Sequence, residues 1–212
     1  MAHKKPKLGR GWTRNIRAWL DKGLDADRAW YRQARQYCAG LAKRHGTDTA
    51  RVVAVMAALS PGTSWDRNKI ETAALLEEWR GERAAGTFPY TTYPANVKKA
   101  RRILRLTERE CYLDAVKPHA TSGNKIGNFY RNILGPNDPE PVTIDRHAIA
   151  ICLGHPPTEK EQSISSYRYR CFAAAYQKVA AERGMVPNEV QAITWSAYRR
   201  ANGDLHQLDL PF

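Results

Sequence analysis

The run RVVAVMAAL, Arg51 to Leu59, constrains this chain more than any other feature, because after its first residue it offers no polar face to water. Thr47-Asp48 precedes it and Pro61-Gly62 follows, a start and a stop signal for one short helix. A helix apolar on all sides has to be enclosed by other elements. The flanking periodicity supplies them. Ala29, Trp30, Ala34, Tyr37, Cys38 and Leu41 recur on one face of a helix ending at His45-Gly46, and Trp65 to Trp79 is amphipathic again. Pro94 suits the first position of a basic helix through Leu106, and Thr107-Glu108-Arg109-Glu110 reads as a capping box opening a short helix to Val116. Residues 166–183 and 187–200 give two more helices, divided by Gly184 and Pro187. No repeat and no convincing strand breaks the pattern. The expected class is all-α: a basic arm at 1–22 carrying Trp12 and Trp19 as anchors, a two-lobed helical domain at 23–203, and a tail at 204–212.

The chain has 212 residues, enough for a real hydrophobic core. No apolar run is long enough to span a bilayer, and MAHKKPKLGRGW has a charged start without the apolar core of a signal peptide, so a cytoplasmic protein without membrane contact is expected. Cys38, Cys111, Cys152 and Cys171 are scattered, with no CxxC pair; they read as reduced core residues, and no metal or cofactor is expected. Lys and Arg number 34 against 21 acids, a formal net charge of +13. Lys4, Lys5, Lys7, Arg10, Arg14 and Arg17 precede the first acid, and Lys98, Lys99, Arg101, Arg102 and Arg105 crowd one helix. The natural partner is a polyanion, double-stranded DNA above all, against the plainer alternatives of a solvated face or an acidic protein.

Residues 121–149 carry the chemistry. Ser122-Gly123-Asn124 is a turn signal, and Ile126, Phe129, Tyr130 and Ile133 then recur at helical spacing until Gly135-Pro136. Lys125 therefore falls in the first turn. Asn137-Asp138-Pro139-Glu140-Pro141 cannot be helix, and Asp145 follows as the N-cap of a helix to Gly154. A helix of about ten residues descends roughly 15 Å, and an extended return of about seven residues spans up to roughly 25 Å, so an amine and a carboxylate can face one cleft. Each has a plainer role as well. Asp145 can simply cap its helix, Lys125 can grip a phosphate, and His147 can be structural instead of supporting the carboxylate. Ser122, Gly123, Asn124 and Asn128 can hold a DNA phosphate or bond within their own turn. Trp65, Tyr93 and Tyr130 can stack on an extruded base or sit in the core.

The order of these segments resembles the helix-hairpin-helix DNA glycosylase superfamily, its endonuclease III-like branch in particular, from Thr49 to Arg200. AALSPGTSWDRNKIETAALL, YPANVKKARRIL, SGNKIGN and VTIDRHAIAIC are similar, in that order, to four of its motifs. The resemblance implies a two-lobed fold with a DNA-binding hairpin at about 107–134, Lys125 at the Schiff-base lysine of the bifunctional members, and Asp145 at the catalytic aspartate. His147 then matches the histidine two positions on. The implied activity is a DNA N-glycosylase, with or without AP-lyase activity, acting on a flipped modified or damaged base. Departures point to rivals on the same scaffold. Thr121 replaces the first hairpin glycine, Pro61-Gly62-Thr63 stands where the family has a gap-filling glutamine, and the iron–sulfur cysteines are absent. Trp65 is then the expected substitute wedge. One rival is a phage-type transferase that attaches amino acids or polyamines to activated thymine, which would work in the host cytoplasm; another is a non-catalytic DNA-binding protein.

Overall fold

The structure is a computed structural model that describes residues 5–107, 112 and 124–203. Along these the chain forms α1 (Trp12–Leu20), a 3-10 turn (Asp25–Ala29), α2 (Trp30–Arg44), α3 (Thr49–Leu59), α4 (Trp65–Arg80) and α5 (Pro94–Arg105). There follow α6 (Asn124–Leu134), α7 (Arg146–Leu153), the single turn α8 (Glu159–Gln162), α9 (Ser166–Arg183) and α10 (Pro187–Ala201). No strand occurs among the described residues. The capping box at Thr107–Glu110 and most of the hairpin at 107–134 lie outside them, so the turn Thr121-Ser122-Gly123 has no structural description.

Local chemistry sets the boundaries. Asp48, Ser64, Asp145 and Ser165 each accept a hydrogen bond from a backbone N–H of the helix they precede, which satisfies donors that have no partner inside the helix. Pro94 and Pro187 occupy first-turn positions where their missing N–H is harmless. Gly154 ends α7 at φ +83°, and a Cβ there would come within 2.8 Å of Asn15 Nδ2, so both backbone conformation and the closeness of α1 call for glycine.

Two hydrophobic clusters result. The first wraps α3, whose residues Val52 to Leu59 are fully buried, against α2, α4, α5 and α6. The second gathers Val142, Ile144, Ile149 and Ile151 with Phe172, Tyr176, Val179 and Val190, and it includes Ile16 from the chain's beginning. This corrects the expected arm at 1–22. Residues 12–20 form a helix packed on α7, α9 and α10, with Ile16 fully buried and Trp12 stacked on Phe172 at 4.2 Å. Asn15 Nδ2 donates to the Cys152 carbonyl at 2.9 Å, and Arg17 makes a two-pronged bond to Glu182. Trp12, Ile16 and Trp19-Leu20 already stand at helical spacing in the sequence; the surrounding lysines and arginines hide them. The basic arm is at most the stretch before Trp12.

Glu71 fixes the approach to α5. Its buried carboxylate accepts from Thr91 N at 2.5 Å, Thr91 Oγ1 at 2.6 Å and Arg67 Nε at 3.1 Å. That clamp holds Thr92 against the Pro61 carbonyl at 2.8 Å and brings Tyr93 beside Gly62.

Candidate active site

Between the two clusters lies a cleft of about 950 Å³, lined from α2, α4, α6, α7, α9 and α10, from the loops Ser60–Ser64 and Thr143–Asp145, and from the segment Gln162–Ser165. Lys125 and Asp145 both line it. Asp145 is held by an irregular segment whose backbone groups are satisfied by side chains instead of a ladder. The Tyr169 hydroxyl donates to the Val142 carbonyl at 2.8 Å and accepts from Ile144 N at 3.0 Å. Asn128 Nδ2 reaches the same carbonyl at 3.1 Å and the Tyr169 hydroxyl at 3.2 Å, while the Asn132 amide and Thr143 hydroxyl meet at 3.0 Å. Asp145 then caps α7 through Oδ1, which accepts from Ala148 N at 2.8 Å. Its Oδ2 has no partner among the described residues, and Asp145 is the one carboxylate in their lining of the cleft.

Lys125 sits in the first turn of α6, half-buried, and Nζ has no partner among the described residues. Two further cationic residues, Arg146 and Arg199, line the cleft, the latter stacked over Trp195 at 4.7 Å. His147 lines the cleft too, its ring 5.8 Å from Tyr198 and 6.5 Å from Trp195, and its Nε2 accepts from Arg146 Nε at 3.4 Å. One wall is aromatic: Trp30 lies 4.8 Å from Trp65, 5.8 Å from Trp195 and 6.2 Å from Phe129. Burial, helped by the nearby Asp145 charge, raises the Tyr31 and Tyr169 phenols well above their ordinary range, which keeps both as hydroxyls able to donate. A planar ligand with an anionic tail fits a lining that combines an aromatic wall, polar side chains and three cationic residues.

The chain belongs to the DUF7178 family, a family of unknown function. The family model matches residues 2–202, which takes in α1, both clusters and every element of the cleft. No curated protein and no solved structure matches the chain.

Several sequence expectations need correction against this geometry. Asn128 spends its amide N–H groups inside the fold, where they tether the Val142 segment and thereby Asp145. Trp65, expected as a wedge, is 6% exposed and packed on Trp30, so it forms part of the cleft wall and cannot enter a duplex. Tyr130 is a core residue at 5% exposure. Arg101 is already paired with the buried Glu78 at 2.8 Å, and none of Lys98, Lys99, Arg101 and Arg102 lines the cleft. Burial lowers the Lys99 ammonium below its usual range. Tyr93 is exposed beside the Gly62 lip, outside the lining. Asn124 begins α6 in its backbone, and Ser122 and Gly123 lie outside the described residues. Sequence reading missed Tyr31, Asn68 and Gln191, all buried and all in the lining. The one available signal was polar side chains on otherwise apolar helical faces, and only the fold shows that those faces meet a cleft.

Proposed function

We propose that this protein is a DNA base-excision enzyme of the helix-hairpin-helix glycosylase type, an N-glycosylase with or without AP-lyase activity, acting on a modified or damaged base drawn out of the duplex. The observation that carries it is that Lys125 and Asp145 line one aromatic-walled cleft, with no partner to Lys125 Nζ or Asp145 Oδ2 among the described residues. The chain's net charge of +13 supports a polyanionic substrate. In this reading the N-glycosidic bond breaks with its electron pair leaving on the base, which takes a proton from solvent. The Asp145 carboxylate stabilises the positive sugar that forms. Either water adds at C1′ and loses a proton, or the neutral Lys125 amine does so; in the second case the nitrogen lone pair then forms the C=N bond as the C1′–O4′ bond breaks with its electron pair on O4′, which takes a proton, and the resulting Schiff base permits strand cleavage by β-elimination.

A transferase on the same scaffold is the second reading. It is favoured by the size of the cleft, about 950 Å³, at the upper end of ordinary ligand pockets (about 300–1,000 Å³) and roomy for a base alone. Mass spectrometry of DNA incubated with the protein separates the two: a freed base is expected from the glycosylase, a heavier nucleotide from the transferase. Asp145→Asn, which keeps the cap, is expected to lower turnover by at least about 100-fold with DNA affinity retained. Undiminished turnover would reduce Asp145 to a helix cap. Borohydride trapping of a protein–DNA adduct in wild type, absent in Lys125→Gln, marks the amine as nucleophile. Base release without an adduct makes the enzyme monofunctional.

A further inference from the structure

The chain from Lys5 to Asp21 runs along α9, parallel to it. The Tyr167 hydroxyl donates to the Lys5 carbonyl at 3.4 Å, Trp12 stacks on Phe172 at 4.2 Å, and at the far end Arg17 pairs with Glu182 at 2.9 Å and Arg183 with Asp21 at 2.7 Å. A Cβ on Gly9 would come within 2.1 Å of the Trp12 indole, so the stretch before α1 is held down between Tyr167 and Trp12. Charge is divided unevenly along this contact. At the C-terminal end of α9 the guanidiniums of Arg17 and Arg183 each have a carboxylate. At the N-terminal end Lys5, Lys7, Arg10, Arg14, Arg168 and Arg170 have no ion pair among the described residues, and all but Arg170 are exposed. Glu161, an acid close enough to feel Arg168, is engaged in its own turn, where Oε2 accepts from Thr158 N at 2.9 Å and from Thr158 Oγ1 at 3.0 Å.

Two rings gather the unpaired cations onto one surface. The Arg170 guanidinium lies over Tyr167 at 5.9 Å, the residue whose hydroxyl holds Lys5, and that of Arg168 lies over Phe172 at 5.6 Å, the ring on which Trp12 stacks. Arg170 Nε is moreover buried without a hydrogen-bond partner. Arg168 and Arg170 stand in the first two turns of α9, the positive end of the helix, where a cation is disfavoured, and the lysines laid across those turns add to the repulsion. An anion from outside the chain relieves it. The surface adjoins the cleft: Ser165 lines the cleft and caps α9, its Oγ accepting from Arg168 N at 3.3 Å. We propose that this surface grips the phosphates of duplex DNA beside the nucleotide drawn into the cleft, with Lys5, Lys7, Arg168 and Arg170 as the contacting residues. DNA fits better than an acidic protein because the surface borders a cleft itself lined by Lys125, Arg146 and Arg199. This rests on the reading of the cleft as a base pocket and adds where the duplex leaves it.

The test is fluorescence anisotropy of a labelled DNA duplex with the full-length protein over a series of salt concentrations. Lys7→Gln/Arg168→Gln is compared with Arg17→Gln/Arg183→Gln, which removes the same charge from the paired end of the same contact. The first is expected to lower duplex affinity at least about tenfold at low salt and to reduce the slope of log affinity against log salt by about two, one for each lost phosphate contact. The second should leave the slope close to that of wild type, because its guanidiniums are already neutralised. Melting temperature should hold in both, since exposed charges and surface ion pairs contribute little to stability. Equal losses in the two variants would mean that DNA senses only net charge, and undiminished binding in the first that the surface faces solvent. A first variant that keeps duplex affinity but loses binding of polyglutamate would assign the surface to an acidic protein. Each of these overturns the proposal. Turnover is not read in this experiment, so the two readings fail separately. The expected loss in the first variant, with no base released or modified by wild type, would sink the enzymatic reading alone; base release by a wild type whose two variants bind alike would sink this one alone.

Discussion

The two hydrophobic clusters are assembled in different ways. The first draws nearly all its members from one continuous stretch, Tyr31 to Ile133, around a helix with no exposed side apart from its first turn. The second takes Ile16 from near the chain's start and Val190 from near its end, with an irregular segment, Val142–Ile144, between them. The first can therefore form from local pairings, whereas the second needs the N-terminal helix to return across the chain, at a larger cost in loop closure. Asp145 stands on the second cluster and Lys125 on α6, which packs against the first, so the cleft exists only when both are in place.

Cutting away residues 1–20 would break the comparison most severely. We expect loss of the second cluster's cooperative melting with helical signal from the first retained, read by circular dichroism and by tryptophan fluorescence; a full-height single transition in the truncated chain would show α1 to be dispensable. Single side chains sharpen it. Ile16→Ala removes a fully buried side chain and is expected to cost about 2–5 kcal/mol in urea unfolding, comparable with Met56→Ala in α3. If Ile16→Ala costs under about 0.5 kcal/mol, α1 is only loosely docked.

Tyr169→Phe comes next, since it leaves Ile144 N–H and the Val142 carbonyl without their shared partner, an expected loss of about 1–3 kcal/mol. The Asn128 amide still reaches that carbonyl, so the lower end of the range is anticipated. Alkaline pH probes the same region without mutation. Burial raises the phenols of Tyr169 and Tyr176 in the second cluster, and of Tyr31 at the cleft, above the ordinary value of 10.0. Their contribution is present in full below that pH, and it is lost as pH rises beyond it, because the unfolded chain ionises first. Melting temperature should decline from about pH 10 upward, and more shallowly in Tyr169→Phe. A profile unaffected by that substitution would show Tyr169 to be reachable by solvent.

The smallest expected effect lies at the surface of α5. Lys98→Ala should reduce the salt slope of DNA binding by about one, as a single lost phosphate contact does. Arg101→Ala should change it less, because Glu78 already neutralises that guanidinium. Equal changes would mean that DNA draws Arg101 away from its ion pair.

Much of the local structure was legible without coordinates. The apolar run at Arg51–Leu59 demanded a buried helix, Pro94, Pro187 and the capping residues marked helix starts, and Asp145 was readable as an N-cap because capping is chemistry between neighbours in sequence. The sequence also determined the helical class and placed Lys125 and Asp145 at helix starts separated by a short return. The tertiary structure alone decided which faces met. It turned the basic arm's Ile16 into core and packed Trp12 against it, made Asn128 a tether, and withdrew Trp65 and Tyr130 from the surface. It also brought Gln191 under the Tyr31 hydroxyl across 160 positions of chain. Hydrophobic periodicity reports that a face is covered and is silent about what covers it. Contacts between distant segments depend on how whole helices pack, and no local pattern encodes that.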